Sequence, residues 1–156
     1  MECEIFDVVA YTDGACRGNP GVGGWGVRIV MEGEAFDLYG GEKLTTNNQM
    51  ELTAAIKALE NSPEKPCRIN IFTDSRYTMD GITKWIDNWR KNGWRTSKGL
   101  PVKNMALWKE LDSLMSTRDV TWTWVRGHNG HSGNEQADAL ANRGIYFTLK
   151  GGSRKM

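Results

Sequence analysis

The sequence lacks the features that would assign it to a secreted, membrane or zinc-binding class. It has three cysteines among 156 residues, and no two of them have C-x-x-C spacing. An odd number of cysteines without that spacing predicts neither a disulfide framework nor a zinc ribbon. No apolar run approaches 18 residues, and the N-terminus has no basic region followed by an apolar stretch. We therefore expect a soluble, cytoplasmic protein.

The chain also lacks an excess of charge of either sign. Its formal net charge is +1, with 20 basic and 19 acidic residues. The distribution is uneven, because the segment 84–109 contains seven basic residues and a single acid, Asp87. Such segregation is typical of a protein that presents a basic surface to a polyanion. The length and the hydrophobic content of 39% predict a single domain at 1–146, and the polar C-terminus predicts a disordered tail at 147–156.

Two segments end in the same short motif. The apolar run 8–12 is followed by Asp13 and Gly14, and the apolar run 69–73 is followed by Asp74. A nearly continuous apolar run is typical of a strand buried on both faces, where an unpaired charge is costly. Alone, Asp13-Gly14 also fits a hairpin turn, and Asp74 also fits a helix N-cap. The repetition favours two carboxylates at the ends of neighbouring strands.

The order of the predicted elements indicates an α/β fold. A helix between two strands predicts a parallel, right-handed crossover, whereas the first three strands form an antiparallel meander. We expect a five-stranded mixed sheet, three antiparallel strands plus two parallel ones, flanked by helices. The predicted strands are 8–13, 25–31, 35–39, 68–74 and 120–125, and the predicted helices begin near residues 48, 75, 101 and 132, the last one ending at 145.

Two helices add acidic side chains to this arrangement. Glu51 lies in the first turn of one helix, and Asp138 lies one turn into the last. Glu51 also fits a capping pattern with Asn48, as Gln49 does with Thr46. Four crowded carboxylates repel one another unless cations balance their charge. Oxygen ligands without a Cys or His pair suit Mg²⁺ or Mn²⁺, and two such ions suit in-line displacement at a phosphodiester.

The motifs resemble type 1 ribonuclease H of the bacterial kind, in their order and in their spacing. The resemblance covers about 8–143 and rests on Tyr-Thr-Asp-Gly-Ala-Cys at 11–16, Gly-Asn-Pro-Gly at 18–21, Thr-Asn-Asn-Gln-Met-Glu at 46–51, Thr-Asp-Ser at 73–75, and Val-Arg-Gly-His at 125–128 with Asp138. It implies endonucleolytic cleavage of the RNA strand of RNA–DNA hybrids, leaving 5′-phosphate and 3′-hydroxyl ends. It also implies two Mg²⁺ ions, with Mn²⁺ as a substitute. The metal ligands that it implies are Asp13, Glu51, Asp74 and Asp138.

The resemblance assigns a fifth catalytic residue, His128, on a loop that the family keeps mobile. Imidazole titrates near neutrality and therefore suits a proton shuttle. A zinc pair of His128 with His131 is the alternative, but nothing nearby completes such a site.

The resemblance also implies twelve substrate contacts. The family's minor-groove contacts fall on three asparagines, its DNA-phosphate contacts on Thr46 and Asn104, and its basic protrusion on the Trp-rich segment that begins at Trp85. Arg76 stands where many relatives have Gln, so a phosphate contact is expected there in place of a base or sugar contact. The twelve residues are Cys16, Asn19, Thr46, Asn47, Asn48, Arg76, Trp85, Trp89, Arg90, Lys91, Arg95 and Asn104.

Two other functions compete with this interpretation. A hybrid-binding module without catalysis has no reason to keep four carboxylates. An integrase- or resolvase-like DNA nuclease shares the sheet, but it does not account for the three asparagines and normally carries a further DNA-binding domain. Because Trp108 has helical spacing with apolar neighbours, we expect it in the core. We expect a monomer that binds an RNA–DNA hybrid duplex and does not associate with a membrane.

Overall fold

A computed structural model, which describes residues 5–126 and 132–151, contains a five-stranded sheet in the order β3-β2-β1-β4-β5. β2 pairs antiparallel with both β1 and β3, whereas β4 pairs parallel with both β1 and β5. The predicted fold class is therefore confirmed. The strands are β1 Val8–Cys16, β2 Gly21–Met31, β3 Glu34–Thr45, β4 Arg68–Thr73 and β5 Asp119–Trp124.

Two layers of helices cover the sheet. Trp25 of β2 lies beside Lys57 of helix α1 (Asn47–Glu60), whereas the glycines on either side of Trp25 lie against helix α5 (Ser132–Leu149). Since successive residues of a strand face opposite sides, α1 and α5 pack on opposite faces. The helices are α1 Asn47–Glu60, α2 Arg76–Asp80, α3 Ile86–Lys91, α4 Met105–Ser116 and α5 Ser132–Leu149, and a π-helical turn, Gly81–Trp85, joins α2 to α3.

The main core lies between the sheet and the α1–α4 layer. It is built from the inward residues of β1, β2 and β4 and from one face of α1. Trp108 of α4 is completely buried in it, which confirms the prediction for that tryptophan. Gly81 lies directly on the Trp108 ring, where a Cβ would overlap the indole. The π-helical turn can therefore approach the core more closely than a larger residue would allow.

The sequence pattern predicted that strand β1 ends before Gly14, but the structure shows that it does not. It continues to Cys16, so Asp13 lies within the strand, paired with Gly26. A glycine is required at position 14 because the first turns of α1 pack directly on it. A Cβ there would overlap the backbone of Met50 and Glu51. The glycine therefore marks a close approach of strand and helix, and the hairpin alternative is wrong.

Helix α5 extends beyond its predicted end at Ile145. It continues to Leu149, and Thr148 is buried, its hydroxyl donating to the carbonyl of Gly144 at 2.9 Å. The first part of the predicted tail is therefore helical, which corrects the boundary at 147, while residues 152–156 lie outside the described residues. The helix predicted at Pro101 begins instead at Met105, because Pro101 pairs with Arg95 in an isolated bridge. No helix within the described ranges has both the length and the apolar character needed to cross a bilayer.

Helix α5 is seated on the sheet through glycines. A Cβ on Gly26 would lie 2.5 Å from the carbonyl oxygen of Ala137, and a Cβ on Gly144 would overlap the backbone of Gly40. The backbones of helix and strands therefore approach each other closely at these glycines. This seating brings Asp138 to the end of β1.

Candidate active site

Three carboxylates meet where β1, α1 and β4 come together. Asp13 lies in β1, Glu51 in the first turns of α1, and Asp74 directly after β4. One carboxylate oxygen from each lies within 4.8 Å of the others. Asp13 and Glu51 are only 4% and 5% exposed. The structure thus brings together three of the four carboxylates that the sequence analysis singled out, in an arrangement able to hold a cation.

The parallel pairing of β1 with β4 places Asp13 beside Asp74. Tyr11 lies opposite Phe72, and the Thr12 hydroxyl donates to the Phe72 carbonyl at 3.1 Å. Two residues beyond that pair come Asp13, still within β1, and Asp74, directly after β4. Their proximity is therefore set by the backbone ladder and does not depend on long flexible side chains.

Other residues perform the capping roles that were the alternative explanation for two of these acids. The N-cap of α2 is Ser75, whose hydroxyl accepts from the Thr78 N–H at 3.0 Å. The N-cap of α1 is Thr46, which forms a capping box with Gln49. Neither Asp74 nor Glu51 caps its helix, so both carboxylates remain directed to the cluster.

Burial and mutual repulsion disfavour the charged forms of these acids. Burial, followed by the charge of Asp74 and the proximity of Asp138, raises the pKa of Asp13 to about 9. Burial, followed by the charge of Asp13, raises the pKa of Glu51 well above its usual range. Within the described residues, the buried Oε1 of Glu51 also has no hydrogen-bond partner. A buried acceptor without a donor is costly and is expected where a cation binds.

The donor set fits one or two hard divalent cations. It consists of carboxylate oxygens alone, which Mg²⁺ and Mn²⁺ prefer over softer ligands. Positive charge at this position would reverse the repulsion and keep the carboxylates ionised. Asp138 lines the same cleft and lies near enough to Asp13 to raise the pKa of that carboxyl.

An open cleft of about 450 Å³ surrounds the carboxylates. The Cys16 thiol donates to the Thr45 carbonyl at 3.3 Å, which holds it at one end of the cleft. Asn19 lies beside the helix start, where its Oδ1 accepts from the Asn47 N–H at 2.8 Å. The predicted substrate contacts that line the cleft are Cys16, Asn47, Asn48 and Arg76.

Arg76 is held over an aromatic ring that the sequence analysis did not single out. Its guanidinium lies 5.1 Å from the centre of the Trp124 ring and 3.8 Å from Asp80. The Trp124 indole donates to the Asp74 carbonyl at 3.2 Å, which ties the end of β5 to the end of β4. The Thr-Trp-Thr-Trp alternation at 121–124 was the available signal, since the last residue of a parallel strand lies near the same sheet edge as Asp74.

A second, smaller groove of about 220 Å³ lies along α3. Trp85 and Trp89 line it, with ring centres 5.8 Å apart, and Arg95 lies at its edge. Trp89 also packs on the core residue Trp108 at 5.2 Å, whereas Trp85 remains 36% exposed. Each of these two tryptophans therefore has both an aromatic contact and a face on the groove.

The basic residues of this region are not equivalent. Arg90 is bound by two acids, with Nε 2.9 Å from Asp112 of α4 and Nη1 2.6 Å from Asp87. Lys91 is exposed, and Arg95 donates a single hydrogen bond to the Gly99 carbonyl at 3.0 Å. Arg90 therefore joins α3 to α4, and Lys91 and Arg95 present their charge to solvent.

Thr46 and Asn104, the two predicted phosphate contacts, lie at the starts of α1 and α4. Gln49 connects them, a residue to which the sequence analysis gave no role beyond capping. The predicted proton shuttle His128 and the alternative zinc partner His131 lie outside the described residues, so both remain predictions.

The chain is similar to known proteins along most of its length. The family model for RNase H matches residues 6–146. Among curated proteins, the chain is similar to the ribonuclease H of Alcanivorax borkumensis, with 57% identity over 89% of this chain and 91% of that one. It is also similar to the ribonuclease H of Nitrosospira multiformis, with 53% identity over 97% of both. The fold resembles the crystal structure of LC9-RNase H1, a type 1 RNase H with the type 2 active-site motif, with a TM-score of 0.79 and 35% identity over 94% of this chain and 75% of that one.

Proposed function

This chain belongs to the ribonuclease H family, and we propose that it hydrolyses the RNA strand of RNA–DNA hybrids at the cleft around Asp13. The proposed products carry a 5′-phosphate and a 3′-hydroxyl. The observation that carries the proposal is the buried carboxylate cluster, whose elevated pKa values and unpartnered Glu51 oxygen call for a cation.

We propose that Asp13, Glu51, Asp74 and Asp138 hold two divalent metal ions, Mg²⁺ or Mn²⁺. When bound, such ions supply positive charge to the attacking water and to the leaving 3′-oxygen of the RNA. Asp13 and Glu51, fixed by the sheet and by the start of α1, set the depth at which the scissile phosphate sits. Asp74 and Asp138 approach from the open side of the cleft, where substrate enters.

The side chains around the carboxylates have complementary tasks. Asn47 and Asn48 line the cleft, and short amides of this kind can donate to and accept from 2′-hydroxyl groups. Their task is to distinguish an RNA strand from a DNA strand before the backbone reaches the acids. His128, as a proton shuttle, would assist the transfer of a proton from the water or to the leaving oxygen.

A second surface is proposed to hold the DNA strand. The groove lined by Trp85 and Trp89 offers indole faces, and Lys91 and Arg95 offer charge at its edge. Indoles suit sugars and bases, while Lys and Arg suit phosphates. We further propose that the protein works as a monomer in the cytoplasm, which size-exclusion chromatography and cell fractionation would test.

The direct test is to incubate the protein with labelled RNA–DNA hybrid, duplex RNA and duplex DNA, in Mg²⁺ and in EDTA. We expect cleavage of the hybrid but not of the two other duplexes, and only when Mg²⁺ is present. The products should carry 5′-phosphate and 3′-hydroxyl ends, which a ligation assay detects. Hybrid with 2′-O-methyl ribose should remain intact, because the methyl group blocks the contacts to the 2′-hydroxyl. Comparable cleavage of duplex DNA would favour a resolvase-like nuclease, and binding without cleavage would favour a hybrid-binding module.

A further inference from the structure

A chain of hydrogen bonds joins the starts of α1, α2 and α4 beside the cleft. Gln49 Oε1 accepts from the Thr46 N–H at 3.2 Å, and Gln49 Nε2 donates to Asn104 Oδ1 at 3.1 Å. Asn104 Nδ2 in turn donates to the Tyr77 hydroxyl oxygen at 3.1 Å. Trp108 Nε1 donates to the same oxygen at 3.0 Å. Tyr77 lines the catalytic cleft, so the chain leads from the helix starts to the site.

The orientation of every amide in this chain follows from its two ends. A backbone N–H and an indole N–H can only donate, so Gln49 Oε1 must face Thr46 and the Tyr77 oxygen must accept from Trp108. With Gln49 Oε1 committed, its Nε2 faces Asn104, which must present Oδ1. Asn104 Nδ2 is then the only group left to face Tyr77. The hydrogen bonds therefore fix the orientation of both side-chain amides.

With these orientations, some donor hydrogens of the chain have no acceptor within it, whereas both amide oxygens accept a hydrogen bond. Each of the two amides keeps a second N–H, and the Tyr77 hydroxyl, which accepts twice, keeps its own hydrogen. Within residues 5–126 and 132–151, no acceptor is assigned to these three hydrogens. A group of donors without acceptors is chemically complementary to an anion.

Asn104 departs from its ordinary local role to take part. It is the N-cap of α4, yet its side chain caps no described backbone N–H of that helix. Its backbone lies in the left-handed region, with φ of 59°. An asparagine that gives up capping and adopts this conformation is held by the rest of the structure, and such departures concentrate at functional sites.

We infer that Gln49 and Tyr77 are positioning residues that orient the Asn104 amide toward a backbone phosphate of the bound hybrid. The inference rests on the proposed function, because the phosphate belongs to the hybrid. Gln49 fixes which end of the amide faces outward, and Tyr77, held by the buried Trp108, fixes its position. Neither residue touches the reacting atoms, so both act on substrate affinity and leave the chemical step unchanged.

The experiment measures KM and kcat on hybrids in which one DNA-strand phosphate at a time is replaced by a neutral methylphosphonate. The variants are wild type, Gln49→Leu and Tyr77→Phe. Asn61→Ala is the matched control, because it removes one hydrogen bond, to the Lys57 carbonyl, at the other end of α1. Gln49→Glu is the second Gln49 variant, since it keeps the acceptor for the Thr46 N–H and should fold if Gln49→Leu does not.

In wild type, we expect one linkage at which neutralisation raises KM about tenfold, the usual effect of a charge-assisted hydrogen bond. Gln49→Leu and Tyr77→Phe should each raise KM about tenfold on the all-phosphate hybrid, with kcat within about twofold of wild type. In these variants, neutralising that same linkage should have no further effect, while other linkages keep theirs. In Gln49→Glu, the carboxylate can only accept, so Asn104 must present its Nδ2 inward and KM should rise as well.

Other results would overturn the inference. It fails if the variants keep the wild-type linkage profile, or if they change KM and kcat no more than Asn61→Ala does. It also fails if kcat falls while KM is unchanged. If wild type does not cleave the hybrid at all, the proposed function fails and the inference fails with it, so the two failures are distinguishable.

Discussion

The carboxylate cleft and the tryptophan-lined groove differ in how the chain builds them. The cleft collects acids from β1, α1, β4 and α5, which are separated by up to 125 positions in the sequence, and it buries two of them. The groove comes from one continuous stretch around α3, and its charges are exposed and basic. The first is unfavourable until a cation binds it, whereas the second is stable by itself. Under the proposed function, catalysis would depend on the long-range fold and substrate attachment on a local surface.

The largest effect should come from removing a carboxylate. We expect Asp74→Asn to lower hybrid cleavage by more than about a thousandfold at saturating Mg²⁺, because a ligand charge is lost where the cation must bind. Asp119→Asn is the matched control, since Asp119 is exposed at the opposite end of β5. Product formation on a labelled hybrid measures both. Activity of Asp74→Asn near that of the control would contradict the role of the cleft.

A smaller loss should follow from changing His128. A positioned acid–base group contributes about 10²–10⁴-fold, and the proposed metal ions would themselves activate the water. We therefore expect His128→Ala to lower the cleavage rate about 10²-fold and to retain measurable activity. Its Mg²⁺ affinity by calorimetry should equal that of wild type. The variant should also lose the component of the pH–rate profile that titrates near neutrality. A large fall in Mg²⁺ affinity would make His128 a ligand of the cleft, and wild-type turnover would leave it without a role.

The groove should respond in affinity alone. Changing Lys91 and Arg95 together to Ala should raise KM about tenfold, with kcat within about twofold, and should reduce the log–log salt slope of binding by about 0.7–0.9 for each lost phosphate contact. Arg90→Ala is the internal comparison, because its guanidinium is bound to Asp112 and Asp87. We expect it to lower stability by about 0.2–1 kcal/mol with an unchanged salt slope. A slope that falls equally in Arg90→Ala would remove the distinction between these residues.

The smallest effect should be a gain in stability of the cation-free protein. Asp13 has a folded-state pKa of about 9 and an ordinary value near 3.8, so its ionisation opposes folding increasingly from about pH 4 to pH 9. In EDTA, Asp13→Asn should therefore have the same Tm as wild type near pH 3.5 and a Tm about 3–10 °C higher near pH 8. Scanning calorimetry across this range measures the difference. Saturating Mg²⁺ should reduce it, because only wild type gains the full binding energy.

The fold and the meeting of the acids were predictable because local patterns carried them. The two apolar runs that end in Thr-Asp, with a helical pattern between them, are sufficient to place Asp13 beside Asp74 on parallel strands. The end of β1 was not predictable from its own residues. Gly14 resembles a strand terminator, and only the backbone of α1, more than thirty positions away, shows that the strand must continue.

The same limit applies to the residues that connect elements. Gln49 fits a capping box completely, and its second contact with Asn104 arises only when α4 packs beside α1. Arg90 reads as one more phosphate contact until Asp112 approaches from α4. In both cases the local role is real, and the additional partner is brought by tertiary packing, which the periodicity of a single segment does not describe.

The glycine seating of α5 has a mechanical consequence for Asp138. Side chains between two elements can absorb small displacements by changing their packing, but at Gly26 and Gly144 the backbones of helix and sheet approach too closely for that. At these two contacts, helix α5 cannot move closer to the strands without backbone overlap. A methyl group added at Gly144, more than one turn away from Asp138, would push the helix away from the sheet and would displace Asp138 with it. The position of Asp138 relative to the sheet therefore depends on glycines outside its own turn of the helix.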